Sequence, residues 1–292
     1  MNKKPIYPIF VPSKNRAKTC FTANCFIENG VDFKLVVEPS QVESYGQIYD
    51  KSLLLIMPKD DMKLLGTRLW IRDYSIKKGF KRHWQFDDNI RRFRYLKDNK
   101  RIPINPNTAI SIVEEFTDRY ENIGISGFNY TMFVVPKKKL KPFYLNCHVY
   151  SACLINNGMP YKWRLIYNDD TDLCLQVLTN GLCTVAFNVF NVEKMATMTV
   201  KGGNTDDLYK GDGRLRMARS LEFMWPEYVK TIYNFGRPQH SVNWKKYFKH
   251  GLIRRKDIDW DKLKNIGEYR LKLNKVGDIK SKELKKFYED NI

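Results

Sequence analysis

The sequence predicts an α/β fold built on a sheet with parallel strands and crossover helices, the architecture of nucleotide-binding domains. Three observations carry that expectation. Short apolar runs end in turn residues, stretches with helical spacing separate them, and the order strand, helix, strand, helix, strand is complete between residues 6 and 61. In such a sheet, ligands gather at the carboxyl ends of the strands.

IYPIFVPSKNRA is a short buried strand that ends in a polar turn, and TCFTANCFIENG is a helix that stops at Gly30. DFKLVVEP is a second strand closed by Pro39, QVESYGQIYD a helix, and SLLLIMPKDD a third buried strand. LLGTRLWIRDYSIKKGF continues as helix, and in HWQFDDNI an aromatic strand runs into an acidic cluster. NTAISIVEEFTDRY has helical spacing after Pro106, while IGISGFNYTMFVVP reads as strand, loop and strand, with Gly124 and Gly127 permitting close backbone approach. PFYLNCHVYSACLIN and MPYKWRLI flank Asn157 and Gly158, a hairpin signal, ahead of a second acidic cluster in YNDDTDLCLQVLTNG, where a helix starts. KGGNTDDLYKGDGR is expected to form an ordered loop or lid, and RLRMARSLEFMWPEYVKTIY a helix interrupted near Pro226 and resumed. A boundary near residue 235 would separate a main domain, 1–235, from a basic, mainly helical C-terminal extension, 236–292, packed on it.

Charge narrows the partners. Lys and Arg outnumber Asp and Glu by 51 to 32 over 292 residues, a formal net charge of +19. An excess of this size is explained economically by a polyanion such as nucleic acid, although a generally basic surface would produce it too. Three basic runs interleaved with aromatic residues are candidate phosphate contacts: PKKKLK with Lys137, Lys138 and Lys139, KKGFKRHW, and WKKYFKHGLIRRK with Lys245 and Lys246. The six cysteines lie among apolar residues without a CxxC pair or zinc spacing, so they are expected to be reduced and buried. No apolar run is long enough to span a bilayer and no signal-peptide pattern opens the chain, so a cytoplasmic protein without a membrane partner is expected.

Two acidic groups could carry chemistry. Asp87, Asp88 and Asn89 follow a strand and offer oxygen ligands suited to Mg²⁺ or Mn²⁺, which would neutralise a diphosphate leaving group; an Asx-rich turn, or an N-cap before IRRFRYLKD as a helix, would use the same residues. Asp169, Asp170 and Asp172 stand at a helix start, where one carboxylate could accept a proton from an attacking hydroxyl; capping accounts for Asn168 or Asp169 equally well. Arg68 and Arg72, four apart on a helix, could aim one guanidinium at a diphosphate or remain solvated. His240 could be a late metal ligand or an exposed loop histidine, and Trp84, Trp163, Trp225 and Trp244 could be core or include a stacking platform for an extruded base.

Taken in order, IYPIFVPSKNRA, VVEP, WQFDDNI and YNDDTDLCLQVLTNG resemble the TET-associated glycosyltransferases of phages over roughly residues 5 to 200. The resemblance implies a GT-A-like, Rossmann-type mixed sheet flanked by helices, with residues 1–235 as the catalytic domain. It implies transfer of glucose or arabinose from a UDP-sugar to the hydroxyl of 5-hydroxymethylcytosine in double-stranded DNA, in the host cytoplasm for a phage enzyme. Pro12, Ser13, Arg16 and Glu38 then match donor-binding positions, with Arg68 and the acidic pair Asp87 and Asp88 beside them. Asp87 to Asn89 match the D-x-D motif, with Asp87 and Asn89 as ligands of Mn²⁺ or Mg²⁺ and Asn89 in place of the usual final carboxylate. Asp170 matches the acid at the head of the acceptor-side helix, with Asp172 just beyond it, making these two the catalytic candidates. The competing readings are a non-catalytic basic DNA-binding protein and a GT-A transferase with a non-DNA acceptor.

Overall fold

A strand buried on both faces must be apolar at nearly every position, and IFVP of β1 (Ile9–Pro12) meets that condition. In the computed structural model, which describes residues 3–136, 140–195, 212–260 and 263, β1 lies between two parallel partners. These are β2 (Lys34–Val37) and β4 (Arg82–Phe86), while β3 (Leu54–Ile56) adds to the outer side of β2, also in parallel. Helix α1 (Phe21–Glu28) makes the first crossover and ends at Gly30, whose φ of +63° suits glycine. The short α2 (Val42–Gly46) and the longer α3 (Lys63–Lys77) make the next two.

The second half of the sheet is mixed. It contains β5 (Ile90–Lys97), β6 (Lys100–Pro103), β7 (Ile123–Tyr130), β8 (Phe143–Leu145), β9 (Ala152–Asn156) and β10 (Cys183–Lys194). The strand order is β3-β2-β1-β4-β9-β7-β10-β5-β6, with β8 also paired to β10, giving ten strands. β9 runs antiparallel between β4 and β7, whereas β7 and β10 are parallel. Helices α4 (Pro106–Thr117) and α5 (Asp169–Thr179) pack on this half; α4 opens with Asn105 accepting from Asn107 N and a proline in its first turn. The architecture is α/β with a mixed central sheet flanked by helices, as expected.

The main core lies between the sheet and its helices. Trp84 stacks between Phe86 and Phe128 with centroids 5.1 and 5.5 Å away, and its indole N–H donates to Glu114 Oε1 at 2.9 Å. Burying aromatic side chains of this size contributes roughly 1.5–3 kcal/mol each. Five of the cysteines are buried and Cys147 is partly buried; all six are free thiols.

Several elements differ from the sequence expectation. β3 is an edge strand with Ile56 49% exposed, because no neighbour covers its outer side. IRRFRYLK is the strand β5 rather than a capped helix, held by antiparallel pairing to β10 and β6, which propensity alone cannot anticipate. MPYKWRLI forms no strand: β9 takes β4 and β7 as partners, so the expected hairpin at Asn157 and Gly158 does not form. TMFVV turns away after β7 instead of making a second strand. The helix before Pro226 exists as α6 (Gly213–Met224), but after it the chain forms a hairpin of β11 (Val229–Asn234) and β12 (Arg237–Val242). A boundary at residue 235 would cut that hairpin at its turn. The described part of 236–292 is accordingly not mainly helical: beyond β12 it holds one 3-10 turn, Trp244–Tyr247, before Leu252 and Trp260 pack on the main core. The loop or lid expected over 201–214 lies almost wholly outside the described residues, as do Lys137, Lys138 and Lys139. Among the described residues, no helix is long and apolar enough to cross a membrane.

Candidate active site

The parallel strands β1, β2 and β4 deliver their carboxyl ends to one edge, and the polar residues that follow each strand meet there. Ser13, after β1, donates from Oγ to Asp88 Oδ2 at 2.8 Å and shares a 2.7 Å hydrogen bond with the Tyr45 hydroxyl. Arg16 NH1 lies 2.8 Å from Asp88 Oδ1, and its backbone N–H donates to Tyr45 Oη. Burial raises the Asp88 carboxyl above its ordinary value, with Arg16 and Ser13 pulling the other way. Glu38, after β2, is buried and pairs with Lys14 at 2.8 Å. Asn15 takes φ of +57° in this loop, a conformation asparagine tolerates. Beside Arg16 opens a cavity of about 840 Å³, lined among others by Asn15, Lys18, Phe21, Gln41 and Met195. A smaller cavity of about 350 Å³, around Lys3, Ser111 and Glu114, is remote from this edge and shares none of its residues.

Asp87 occupies the centre. Its backbone N–H donates to Ser151 O, and its Oδ2 accepts from Ser151 Oγ at 2.5 Å and Lys194 Nζ at 2.9 Å. Its Oδ1 lies 3.3 Å from Arg68 NH2. Lys194, the last residue of β10, also donates to Tyr130 Oη and Ser151 Oγ. Burial disfavours the Asp87 carboxylate, but Lys194 and Arg68 outweigh it and hold the group below the ordinary carboxylate value.

Arg68 joins the two acidic clusters. The same guanidinium that faces Asp87 places Nε 2.7 Å from Asp169 Oδ2 at the head of α5, a close ion pair whose alignment falls short of a hydrogen bond. The side chain is 6% exposed, so the solvated alternative for Arg68 does not hold. It is positioned from behind: Gln85 Oε1 faces Arg68 NH1 at 3.5 Å, and Gln85 Nε2 contacts both the Arg68 carbonyl and His83 Nε2. His83 Nδ1 in turn meets Asn157 Oδ1 at 2.6 Å. Arg72, one turn on, instead donates to the Met159 carbonyl.

Helix α5 presents its acids to three environments. Asn168 precedes it at φ +50°, turning the chain so that Asp169, Asp170 and Asp172 fall in the first turn, where the helix dipole favours negative charge. Asp169 faces Arg68 and its carboxyl is raised by burial and by the neighbouring Asp170 and Asp87 carboxylates, against the pull of Arg68. Asp170 is half-buried, with Oδ1 3.2 Å from His148 Nε2 and accepting from Thr171 N. Burial opposes its ionisation, yet His148 and Arg68 dominate and keep it well below the ordinary value. Asp172 points elsewhere. It is fully buried and its oxygens accept from Arg164 Nε and NH2, Trp225 Nε1 and Gln176 Nε2. That carboxylate ties α5 to Arg164 and to Trp225 at the end of α6, and both its oxygens already accept hydrogen bonds. Its place in the fold is structural, a correction to its candidacy as a catalytic acid.

Around Asp170 the walls are aromatic. His148 lies 4.3 Å from the Tyr150 ring, which meets Tyr130 at 4.2 Å, and Trp244 stacks over His148 at 6.3 Å and 19°. Trp84 and Trp163 are core, whereas Trp225 caps Asp172. His240 sits on β12, where burial and His148 lower it to about 4 while Asp170 pulls upward. Lys245 and Lys246 are exposed in the turn that carries Trp244, and Lys246 lies 4.3 Å from the Tyr228 ring centre.

Asp87 and Asn89 can be weighed as metal ligands on their donor atoms. Among the described residues no group of three His, Cys, Asp or Glu side chains is arranged to hold a metal. Asn89 Oδ1, however, is buried without a hydrogen-bond partner, and Asp87 offers a carboxylate two residues away. Two such oxygens, completed by phosphate oxygens, fit the way Mg²⁺ is commonly held at phosphate sites. Lys194 shares the Asp87 carboxylate and would compete with that cation.

Sequence reasoning placed Asp169 in the second acidic cluster without giving it a site role, and it missed Tyr130, His148, Ser151 and Lys194. Ser151 carries one local signal, a φ of +62° unusual for serine, but that is visible only in three dimensions. The TET-Associated Glycosyltransferase family model matches residues 7–203, which contain the whole of the ten-stranded sheet and both acidic clusters. No curated protein matches the chain. The family match covers about two thirds of the sequence, and the chain therefore belongs to the TET-associated glycosyltransferases, enzymes of sugar transfer to modified DNA.

Proposed function

We propose that the protein moves a glucose or arabinose residue from a UDP-sugar to the hydroxyl of 5-hydroxymethylcytosine in double-stranded DNA. The observation that carries this reading is the Arg68 guanidinium between Asp87 and Asp169, which puts the donor-side and acceptor-side acids within one side chain of each other. The 840 Å³ cavity beside Arg16 takes the nucleoside, with Pro12, Ser13 and Glu38 at the adjoining strand ends, where Ser13 and Arg16 share Asp88 and Glu38 pairs with Lys14. Arg68 and Lys194 face the diphosphate and spread the charge that develops on it. Mg²⁺ or Mn²⁺, held by Asp87 and Asn89, would supply Lewis-acid neutralisation of the departing diphosphate.

In the transfer, the hydroxymethyl oxygen bonds to the anomeric carbon. The bond from that carbon to the β-phosphate oxygen breaks and its electron pair leaves with UDP. The hydroxyl proton passes to Asp170, already ionised beside His148 and partly open to an incoming group. Tyr130, Tyr150 and Trp244 exclude water around that exchange and give a base flat surfaces to lie against.

The deciding experiment incubates the protein with duplex DNA containing 5-hydroxymethylcytosine, 5-hydroxymethyluracil or unmodified cytosine, a panel of UDP-sugars and either Mn²⁺ or a chelator. Mass spectrometry of the digested nucleosides should show a hexosyl or pentosyl adduct on hydroxymethylcytosine and none on plain cytosine. Release of UDP with no DNA present, or no adduct with any donor, would sink the proposal; undiminished transfer in chelator would remove the cation while leaving the rest.

A further inference from the structure

The hairpin that replaces the expected helix after Pro226 has a tip that folding alone does not explain. β11 and β12 pair from Val229 and Val242 to Asn234 and Arg237, leaving a two-residue turn of Phe235 and Gly236. Both turn residues have positive φ, +52° and +69°, the pattern of a type I′ turn. Asn, Asp or Gly is favoured at the first position, because a large side chain is strained there. Phe235 instead occupies it with its ring 84% exposed. Tyr233, two residues back, is 75% exposed, and Phe223 on the helix that supports the hairpin is 84% exposed. Single exposed apolar residues are ordinary, but strain and exposure at one aromatic residue on a projecting turn point to a partner.

The hairpin's root identifies that partner's position. His240 on β12 lies within electrostatic reach of Asp170 and His148, and Trp244 follows directly and stacks over His148. From His240 to the turn is about 13 Å at the usual rise of a strand, on the order of the width of a DNA major groove. Exposed cations run along the hairpin: Arg237 adjoins the turn, while Lys230, paired with Glu222, and Lys245 and Lys246 stand at its root. An apolar point among basic side chains suits a base stack bordered by phosphates, and the chain's net charge of +19 favours the same polyanion.

We propose that the β11–β12 hairpin is a DNA wedge. Phe235 enters the base stack beside the target nucleotide and fills the space left when the modified base turns outward to Asp170, while Lys230, Arg237 and Lys245 contact the flanking phosphates. This rests on the reading that the acceptor is a base in duplex DNA. Base extrusion lets an enzyme act on an atom that the stack hides, and apolar side chains inserted at a step lower the cost of unstacking.

The test compares wild-type, Phe235→Ala and Phe235→Asn full-length proteins on one oligonucleotide carrying hydroxymethylcytosine, presented single-stranded and as a duplex. The asparagine variant guards against misfolding, since asparagine suits the first turn position and should leave the melting temperature equal or higher. Both variants are expected to lose about tenfold or more of the duplex rate and to keep the single-strand rate. With 2-aminopurine next to the target, wild-type binding should raise fluorescence and variant binding should not. Variants as active on duplex as the wild type, or losing both rates equally, would overturn the wedge and leave the transferase reading intact. A wild type that modifies neither form would overturn both.

Discussion

Asp170 and Asp172 are two residues apart on one helix, yet their surroundings assign them different work. Asp170 keeps an oxygen beside His148 near open space, whereas Asp172 has both oxygens engaged by Arg164, Trp225 and Gln176. Asp170→Asn should therefore lower the transfer rate by about 10²–10⁴ while the unfolding midpoint stays close to that of the wild type. Asp172→Asn should do the reverse, costing about 1–3 kcal/mol in stability by weakening the hydrogen bonds that the buried carboxylate accepts from Trp225, Gln176 and the partly exposed Arg164, as chemical denaturation would register. His83 gives a pH dependence. Its partners, Asn157 Oδ1 at Nδ1 and Gln85 Nε2 at Nε2, select the neutral ring, and burial lowers it from 6.5 to about 4. Between those values the unfolded chain binds the proton and the folded chain does not, so stability falls as pH drops from about 6.5 toward about 4. At pH 5 the loss from this group should be about 2 kcal/mol, and the His83→Gln variant should show a flatter profile of denaturation midpoint against pH. The acidic residues stood out in the sequence because acids directly after an apolar strand or at a helix start are conspicuous. Arg68 was named as a candidate for the diphosphate, but its spacing on α3 could not say that the same guanidinium also reaches Asp169.

At the scale of elements, close approach between β7 and its neighbours sets the spacing of the site. A Cβ on Gly127 would lie 2.1 Å from the Ala152 carbonyl oxygen and 2.7 Å from Val149. Gly127→Ala should push β9 off β7 and displace Ser151 from Asp87. We expect a loss of about 1–3 kcal/mol or more, with transfer lost beyond what the stability change explains, measured as thermal unfolding together with turnover. The glycine itself was marked by sequence as a site of close approach, because a glycine within a strand pattern rarely has another use. The identity of its neighbour was not. The opening units β1, α1, β2 and α3 were legible because each is set by local periodicity and punctuation. IRRFRYLK and the segment after Pro226 were misassigned for different reasons: β5 pairs with β10, about a hundred residues away, whereas β11 pairs with the adjacent β12 through a Phe235-Gly236 turn that lacks the usual Asn-Gly or Asp-Gly signal.

For the whole molecule, the net charge of +19 sets how the protein meets a polyanion. Its affinity for DNA should fall linearly on a log–log plot against salt, by about 0.9 per phosphate contact. A Lys245→Ala, Lys246→Ala double variant should reduce that slope by about 2 while weakening all sequences alike, as fluorescence anisotropy at several salt concentrations would show. An unchanged slope would place the DNA on another face. The order of strands and helices over the opening β1 to β3, the basic balance and the two acidic clusters were determined by the sequence itself, because apolar periodicity, turn residues and charge are properties of neighbouring positions. Only tertiary structure decided that Arg68 binds those clusters together, that Lys194 and His148 join them, and that Asp172 serves the fold. The sheet brings residues 68, 87, 148, 169 and 194 to one point by reversing and crossing the chain, and such pairings arise from long-range packing that local pattern does not encode.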